Sequence, residues 1–340
     1  MGIPRLIASA TTVLLLTGCG GGLSPPVEEL VGSSSPAPAS GDQQPPVAAV
    51  RPADVRANEL GVVPVLMYHR IIAKPSSVYD RTPADFRAEL ERLARTDYVP
   101  ITTADFVTGK IDIPAGKHPV VLTFDDGDPS TFALGQDGEP AKGTAVRILQ
   151  EVAAANPGFR PVASFYVNAD PFGGGAAGRE ALAWLHGHGF EIGNHTYGHT
   201  NLSSVSDGEA RQDIARGDEA IRQALPGYRP TTLALPFGAR SGTDGLVLRG
   251  TGYDYAGALL VGANPAPSPY SVDFDPEAIP RIRSQGADGE EAKYGSTVWL
   301  DELEADPGGR YASDGDPKVI SYPEGTGSPA ERFAARAVAY

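Results

Sequence analysis

One stretch constrains the fold more than any other: an apolar run that ends in two adjacent carboxylates, Pro119-Val-Val-Leu-Thr-Phe-Asp-Asp-Gly127. The residues from Val120 to Phe124 are apolar or β-branched, which is typical of a buried strand. A glycine directly after two acids indicates a tight turn. The sequence therefore predicts a strand that delivers Asp125 and Asp126 at its carboxyl end, where α/β folds build their active sites.

The same acids also have an ordinary interpretation, as an Asp-Gly turn on the surface. Two carboxylates that are buried together repel each other, so a functional pair needs a positive charge beside it. The rest of the chain has to supply that charge if Asp125 and Asp126 carry chemistry.

Strand-like and helix-like segments alternate through the middle of the chain. Thr82-Pro83 predicts the start of an amphipathic helix, with the threonine as N-cap, and Ser206-Asp-Gly-Glu209 predicts a capping box at the start of another. Further apolar segments are predicted as strands, at residues 62–69, 98–101, 161–167, 189–192, 231–235, 253–261 and 278–282. This alternation indicates a mostly parallel sheet, and the number of strands favours a (β/α) barrel.

The N-terminal 58 residues differ in composition from the rest. Arg5 precedes an apolar run at residues 6–16, which is shorter than the roughly 20 residues of a transmembrane helix and typical of a signal peptide. Leu16-Thr-Gly-Cys19 resembles the lipobox of bacterial lipoproteins, which implies cleavage before Cys19 and lipidation of its thiol. The alternative is a signal peptide with a coincidental cysteine. Residues 20–58 are rich in Pro, Gly and Ser, which predicts a disordered tether.

We therefore expect an exported protein that is lipid-anchored to the outer face of the cell membrane. The predicted organisation is a signal peptide at 1–19, a linker at 20–58, a domain at 59–283 and an extension of open architecture at 284–340. Cys19 is the only cysteine of the chain, which excludes intrachain disulfides and multi-thiolate metal sites. The formal net charge of −14 argues against a nucleic acid partner, and the sequence implies no protein partner.

A second constellation lies in Glu191-Ile-Gly-Asn-His195-Thr-Tyr-Gly-His199. Two histidines four residues apart share one face of a helical turn or converge from a tight loop, and either arrangement places two imidazoles on one metal. Together with a carboxylate from another strand end they make a two-histidine, one-carboxylate site, which leaves positions open for water and substrate. The other carboxylate is then available to accept a proton from the water.

These two segments resemble the first two motifs of the polysaccharide deacetylases, the NodB-homology group or carbohydrate esterase family four. The resemblance extends over residues 62–283 and includes Ala163-Ser-Phe-Tyr-Val167 and Gly189-Phe-Glu-Ile-Gly-Asn194. It implies a distorted (β/α) barrel. By position it also implies that Asp125 is the catalytic base, and that the metal ligands are Asp126, His195 and His199.

The third motif of the family normally reads Arg-x-Pro-x-Gly, whereas this chain has Ala234-Leu-Pro-Phe-Gly238. The variant resembles the branch that acts on poly-N-acetylglucosamine exopolysaccharide. The family implies that a backbone N–H of this motif, here that of Phe237, helps to bind the oxyanion. The missing arginine removes a partner of the base. Arg281 in Ile279-Pro-Arg-Ile282 is the candidate replacement, and its alternative is a surface charge at a strand end.

The family's Leu-x-x-His motif normally lies near the C-terminus and supplies the general acid, but no histidine follows His199. Leu66-Met-Tyr-His69 has the same form near the start of the domain. The exopolysaccharide branch has a circularly permuted barrel that moves this strand to the N-terminus, which implies that His69 is the general acid. His118, His186 and His188 receive no role.

The sequence therefore predicts a metal-dependent deacetylase that removes N-acetyl groups from a polysaccharide containing N-acetylglucosamine and releases acetate. Zn²⁺ is the expected metal, and Co²⁺ or Ni²⁺ also suits nitrogen and oxygen ligands. Two alternatives stay open. One is an O-acetyl esterase acting on xylan or another wall polysaccharide, and the other is a catalytically silent lipoprotein that binds polysaccharide.

Overall fold

The strand predicted before the two acids lies within a curled parallel sheet. The computed structural model describes residues 50–289 and 291–340. The strands within these ranges are β1 (Val65–Tyr68), β2 (Tyr98–Ile101), β3 (His118–Phe124), β4 (Ser164–Val167), β5 (Glu191–Asn194), β6 (Thr232–Ala234), β7 (Arg249–Gly250), β8 (Tyr253–Asp254), β9 (Gly257–Leu259), β10 (Ile282–Arg283), β11 (Ile320–Tyr322) and β12 (Ala337–Ala339). The helices are α1 (Pro83–Arg95), α2 (Thr103–Thr108), α3 (Ala145–Ala155), α4 (Gly175–Gly187), α5 (Asp207–Ala224) and α6 (Ser296–Ala305).

The main sheet has the order β10-β1-β3-β4-β5-β6-β9, and β2 also pairs with β3. All of these pairings are parallel. Leu259 at the end of β9 bridges in parallel to Ile279, just before β10, so the two ends of the sheet approach each other. The predicted α/β class and distorted barrel are confirmed. Because the strands are parallel, their carboxyl ends meet at one edge.

Alternation along β3 separates the packing residues from the chemical ones. Leu122 and Phe124 belong to the core beneath the helices, and the intervening Thr123 and the following Asp125 point to the other side, because side chains alternate in a strand. The Phe124 ring stacks on Tyr68 of β1 at 5.1 Å and on Phe165 of β4 at 4.9 Å. These aromatic contacts fix the ends of three neighbouring strands relative to each other.

The predicted helix starts are confirmed. Helix α1 begins after Thr82, whose side chain accepts a hydrogen bond from Asp85 N–H, and α5 begins with the reciprocal Ser206–Glu209 capping box. The single strand predicted at 253–261 is wrong, because this segment divides into β8 and β9. Strand β8 pairs with the preceding β7 in an antiparallel hairpin, whereas β9 joins the main sheet. A periodic apolar pattern does not reveal which partner each half takes.

Residues 284–340, whose architecture the sequence leaves open, pack on two sides of the sheet. Ser296 at the start of α6 donates a hydrogen bond to the buried Glu89 of α1. At the amino edge, the carbonyl oxygen of Tyr311 contacts Nδ1 of His118, the first residue of β3, at 2.6 Å. Strands β11 and β12 form a separate parallel pair. The C-terminal region therefore packs both on α1 and at the amino end of β3.

Strand β1 lies between β10 and β3, so the first strand of the sheet joins its last strand to the strand with the two acids. The circular permutation stays a prediction, as do the domain boundaries. The predicted signal peptide, Cys19 and the tether up to residue 49 lie outside the described residues. Residues 50–58 of the predicted tether include the 3-10 helix Pro52–Val55 and the fully buried Ala57. Within the described ranges, no helix combines the length and apolar character needed to cross a membrane.

Candidate metal and catalytic site

The two adjacent acids at the end of β3 occupy different environments. Asp125 continues the inward side of the strand, and its side chain is 1% exposed, whereas the Asp126 side chain is 44% exposed. Asp126 and Gly127 have φ values of 72° and 65°, so the chain turns sharply after Asp125. A Cβ atom on Gly127 would lie 2.6 Å from Cβ of Pro171, so this turn needs a glycine. The turn separates the two carboxylates and gives each its own partners.

Asp125 is paired with Arg281, the arginine that the sequence proposed as a replacement. Nη1 and Nη2 of Arg281 donate to the two carboxylate oxygens at 2.8 and 2.7 Å. Nε of Arg281 donates to the Leu260 carbonyl oxygen at 2.7 Å, and Nη1 also reaches Thr123 Oγ1 at 3.2 Å. Arg281 is completely buried. This geometry rules out the alternative of a surface charge at a strand end.

Burial by itself raises the pKa of Asp125, but the charge of Arg281, the neighbouring His195 and the hydrogen bonds from Arg281 have the larger combined effect. The pKa of Asp125 is therefore held well below its usual range. A carboxylate that stays ionised while buried can accept a proton from a molecule beside it, which is the property that a general base needs.

Asp126, His195 and His199 converge on one point, and one ligand atom from each lies within 4.8 Å of the others. Oδ1 of Asp126 is 3.5 Å from Nε2 of both His195 and His199. Nδ1 of His195 lies 2.8 Å from the Ala234 carbonyl oxygen. That carbonyl oxygen can only accept, so Nδ1 carries the proton and Nε2 keeps its lone pair.

These distances fit a divalent metal. Metal–nitrogen and metal–oxygen bonds of about 2.0 to 2.2 Å place neighbouring tetrahedral ligands roughly 3.4 Å apart, close to the separations observed here. A two-histidine, one-carboxylate donor set with one buried and two accessible members also leaves room for further ligands. The structure therefore contains a possible metal site made of the three predicted ligands.

His69 follows β1 and lies beside the base. Its Nε2 atom is 4.0 Å from Oδ2 of Asp125, and its side chain is 18% exposed. Its Nδ1 atom is buried and has no hydrogen-bond partner among the described residues. Burial lowers the pKa of His69, an effect that the nearby Asp125 and Asp126 only partly oppose. The structure thus brings the N-terminal histidine to the carboxylate pair, although 55 residues separate it from Asp125.

Phe237 lies at the rim of the site. The residue is 64% exposed, and its ring contacts the ring of His199 at a centroid distance of 4.7 Å. Seven described residues other than glycine have positive φ, and four of them surround the site: Asp126, Thr196, His199 and Phe237. Such conformations are strained and concentrate where a fold has to aim functional groups. The histidine pair therefore converges from a strained loop, the second of the two arrangements that its spacing allowed.

Sequence reasoning missed several groups that orient the site. Thr123 contacts the arginine, the Ala234 carbonyl selects the tautomer of His195, and Nδ2 of Asn168 donates to the His195 carbonyl oxygen at 2.7 Å. Thr123 was detectable, because it lies two residues before Asp125 on the same side of the strand. The other two act through backbone carbonyls, which leave no signal in the sequence. His118, His186 and His188 do not belong to the described metal cluster.

Residues 112–256 match the family model described as "Polysaccharide deacetylase". The chain is 26% identical over 163 residues to a protein of Bacillus cereus named peptidoglycan-N-acetylglucosamine deacetylase, covering 47% of this chain and 51% of the relative. It is 27% identical over 129 residues to a chitin deacetylase of Arthroderma benhamiae, covering 36% of this chain and 29% of the relative. The chain thus spans about half or less of the length of these curated relatives.

Solved structures share the fold. The deacetylase PplD of Streptococcus pyogenes, solved in complex with acetate, superposes with a TM-score of 0.52 at 19% identity, covering 66% of this chain and 92% of that one. IcaB of Ammonifex degensii superposes with a TM-score of 0.51 at 23% identity, covering 72% of this chain and 96% of that one. At these identities the likeness concerns the fold alone.

Proposed function

This chain carries a polysaccharide deacetylase domain, and we propose that it is a metal-dependent N-deacetylase of a polysaccharide containing N-acetylglucosamine. The observation that carries the proposal is that the two adjacent acids have different partners. Asp126 groups with His195 and His199 as a ligand set, while Asp125, held ionised by Arg281, stays free to accept a proton.

Asp126, His195 and His199 would hold the metal, and a bound divalent metal would polarise an acyl carbonyl and acidify water at this position. Asp125 accepts the proton of the attacking water, because Arg281 keeps the carboxylate ionised and it lies next to the ligand set. Arg281 holds that carboxylate by two hydrogen bonds and fixes its direction. We assign to the Phe237 N–H the role of donating a hydrogen bond to the oxyanion that forms when water attacks the acetyl carbonyl. His69 donates a proton to the departing amine, so that acetate and a free amino sugar result.

Acetate release tests this proposal. Purified protein loaded with Zn²⁺, Co²⁺ or Ni²⁺ is incubated with N-acetylglucosamine oligomers and, in parallel, with acetylxylan. We expect acetate from the N-acetylated oligomers, its loss after chelation, and its recovery when metal is restored. Preferential release from acetylxylan would instead establish the O-acetyl esterase. No acetate from any acetylated glycan, with the metal bound, would leave only the silent polysaccharide-binding protein.

The role of His69 has its own test. His69→Ala should retain the metal and lose roughly 100-fold or more in kcat, because a positioned general acid contributes about that much. His186→Ala is the matched control, since that histidine lies outside the site. Near-normal turnover by His69→Ala would show that His69 serves only the packing of the strand end.

We also propose that the protein is exported and lipid-anchored through Cys19 to the outer face of the membrane. The support is the Leu16-Thr-Gly-Cys19 pattern, together with a reaction whose polymeric substrate lies outside the cell. In cells, Cys19→Ala should abolish the incorporation of a labelled fatty acid into the protein. Unchanged incorporation by that variant would contradict the anchor.

A further inference from the structure

The loop that carries two of the three candidate metal ligands, residues 195–199, has a strained backbone. Thr196 and His199 have φ values of 62° and 52°, in the left-handed region that favours glycine. Such a conformation persists only where contacts from outside the segment hold it. The direction of the two imidazoles therefore depends on the residues that bind this loop from neighbouring elements.

Helix α5 packs directly on the loop. A Cβ atom on Gly217 would lie 2.9 Å from the carbonyl carbon of Thr196 and 3.0 Å from the backbone nitrogen of Tyr197, so the helix backbone contacts the loop backbone. The guanidinium carbon of Arg216 lies 3.8 Å from the centroid of the Tyr197 ring. Asp213 lies one helical turn before Gly217 and shares its face of the helix. The loop therefore lies on one face of α5, formed by Asp213, Arg216 and Gly217.

Asp213 binds the middle of the loop. The N–H of Gly198 donates to Oδ1 and Oδ2 of Asp213 at 3.0 and 3.3 Å, and the N–H of Tyr197 donates to the Asp213 carbonyl oxygen at 3.1 Å. A hydrogen bond from a backbone N–H to a carboxylate is stronger than one between neutral groups. Both N–H groups lie between the two histidines in the chain, so Asp213 fixes the segment that joins them.

Asn168, which follows β4, binds the start of the loop. Its Nδ2 atom donates to the carbonyl oxygen of His195 at 2.7 Å and to that of Thr196 at 3.3 Å. Asn168 and Asp213 thus act on backbone groups of opposite polarity, the first on C=O and the second on N–H. Together they bind a backbone group of every residue from 195 to 198.

We propose that Asp213 and Asn168 are positioning residues that preform the metal site, by holding the loop in the conformation in which His195 and His199 face Asp126. Nε2 of each histidine lies 3.5 Å from Oδ1 of Asp126. Ligands that are already in place lose little conformational freedom when a metal binds, so the affinity for the metal rises. Neither positioning residue is a ligand or a proton donor in the proposed reaction. The inference rests on the metal site of the proposed function and is independent of the substrate.

Metal affinity tests this inference, with Co²⁺ alone as the probe. Protein freed of metal is titrated with Co²⁺ in competition with a chromophoric chelator. We expect Asp213→Ala and Asn168→Ala each to weaken the Co²⁺ affinity by about 10- to 100-fold, the usual effect of removing a partner that orients a metal ligand. Asp213→Asn should recover most of the affinity, because its amide oxygen still accepts from the Gly198 N–H.

The controls are matched by residue type or by element. Asn201→Ala removes an amide just after the loop that contacts Ser203, and Glu219→Ala removes an exposed carboxylate of the same helix that contacts Gln223. Both should keep the wild-type affinity. Arg216→Ala is the milder variant for the case that an alanine variant at Asp213 or Asn168 does not fold. It removes an exposed side chain, and we expect a Co²⁺ affinity about 2- to 5-fold weaker.

Melting temperatures and spectra separate positioning from a general loss of structure. Thermal melts of the metal-free variants report the fold, and the visible absorption of bound Co²⁺ reports its coordination geometry. We expect cooperative melts and, at saturating Co²⁺, the wild-type spectrum, because the same three ligands bind the metal. Lower melting temperatures with an unchanged Co²⁺ affinity would mean that Asp213 and Asn168 only stabilise the fold, and would overturn the inference.

The two proposals fail separately. Acetate release together with a Co²⁺ affinity that does not depend on Asp213 or Asn168 would overturn the positioning role and leave the deacetylase intact. Weakened Co²⁺ binding by both alanine variants, in a protein that releases no acetate from any glycan, would support the positioning role and overturn the deacetylase.

Discussion

The two edges of the main sheet treat buried carboxylates in opposite ways. At the carboxyl edge, Asp125 is paired with the buried Arg281, which lowers its pKa. Near the amino edge, the donors to Glu191 at the start of β5 among the described residues are neutral: the hydroxyls of Ser164 and Thr232, both at 2.6 Å, and the Ala104 N–H at 2.8 Å. Burial raises the pKa of Glu191 despite these donors.

Glu59, before β1, is a buried carboxylate with neutral hydrogen-bond donors, like Glu191. It is buried against the C-terminal region, where Tyr311 donates to it at 2.9 Å and Ser321 N–H at 3.0 Å. Burial and the nearby Asp314 raise the pKa of Glu59 to about 8. A full positive charge thus keeps one acid ionised for chemistry, while neutral donors leave the others inclined to hold a proton. The charge of its partner, rather than burial alone, therefore decides whether a buried carboxylate is ionised.

The largest expected effect is the loss of activity when the charge of Asp125, at the carboxyl edge, is removed. Asp125→Asn should lower kcat by about 10²- to 10⁴-fold, the contribution of a positioned general base, and should retain the metal. Asp126→Asn is the counterpart, for which we expect weakened metal binding. Activity and metal content are measured on the same samples. Loss of the metal in Asp125→Asn, with retention in Asp126→Asn, would reverse the roles of the two acids.

Replacement of Arg281 tests how much its ion pair with Asp125 contributes to the free energy of unfolding. Arg281→Met should lower the free energy of unfolding by about 3 to 5 kcal/mol, because it leaves Asp125 buried without its counter-charge. The double variant Asp125→Asn with Arg281→Met should recover part of this loss, since it removes the unpaired charge as well. Urea unfolding of the four proteins gives the coupling. Additive losses in the double variant would contradict a dominant ion pair.

The pH dependence of stability tests Glu59. Because its folded-state pKa of about 8 lies above the usual 4.5, the folded chain keeps a proton that the unfolded chain releases between these pH values. Its contribution is complete below about pH 4.5 and is lost as the pH rises to about 8. Glu59→Gln should therefore flatten the decline in the free energy of unfolding between pH 6.5 and 8, by an amount on the order of 1 to 2 kcal/mol.

His118 lies in the same region, and burial lowers its pKa to about 4. Its contribution has the opposite sign, because stability is lost as the pH falls from about 6.5 towards 4. The window above pH 6.5 therefore excludes most of the contribution of His118, and the comparison of the wild-type protein with Glu59→Gln cancels that of other groups. Equal slopes for the wild-type protein and Glu59→Gln in this window would show that Glu59 is ionised in the folded state.

The smallest effect is expected for Glu191→Gln. Its partners are neutral, and the two hydroxyl groups can turn to accept from an amide, so we expect a loss of about 1 kcal/mol or less. Urea unfolding measures it beside Arg281→Met, from which it differs because the side chain that it replaces has no charged partner. A loss in the free energy of unfolding as large as that of Arg281→Met would contradict the contrast between a carboxylate with a charged partner and one with neutral donors.

Local patterns were sufficient for much of the fold. The apolar run before Asp125 predicted a buried strand, and the Thr82 and Ser206 caps predicted two helix starts, because these features depend on residues within one turn or one strand. The division of 253–261 between β8 and β9 and the arrangement of 284–340 were not predictable in this way. Both depend on pairing with distant segments, and pairing partners are not encoded in periodicity.

The same distinction between short-range and long-range relations applies to the site. The sequence by itself determined that Asp125 and Asp126 end a strand and that His195 and His199 are spaced for one metal, because these are short-range relations along the chain. Only the tertiary structure decided that Arg281 pairs with Asp125 across 156 residues, that His69 lies beside that pair and that Asp213 binds the loop between the two histidines. The physical reason is that curling of the sheet brings separate strand ends together at one edge, and the burial there makes a single correctly placed counter-charge decisive.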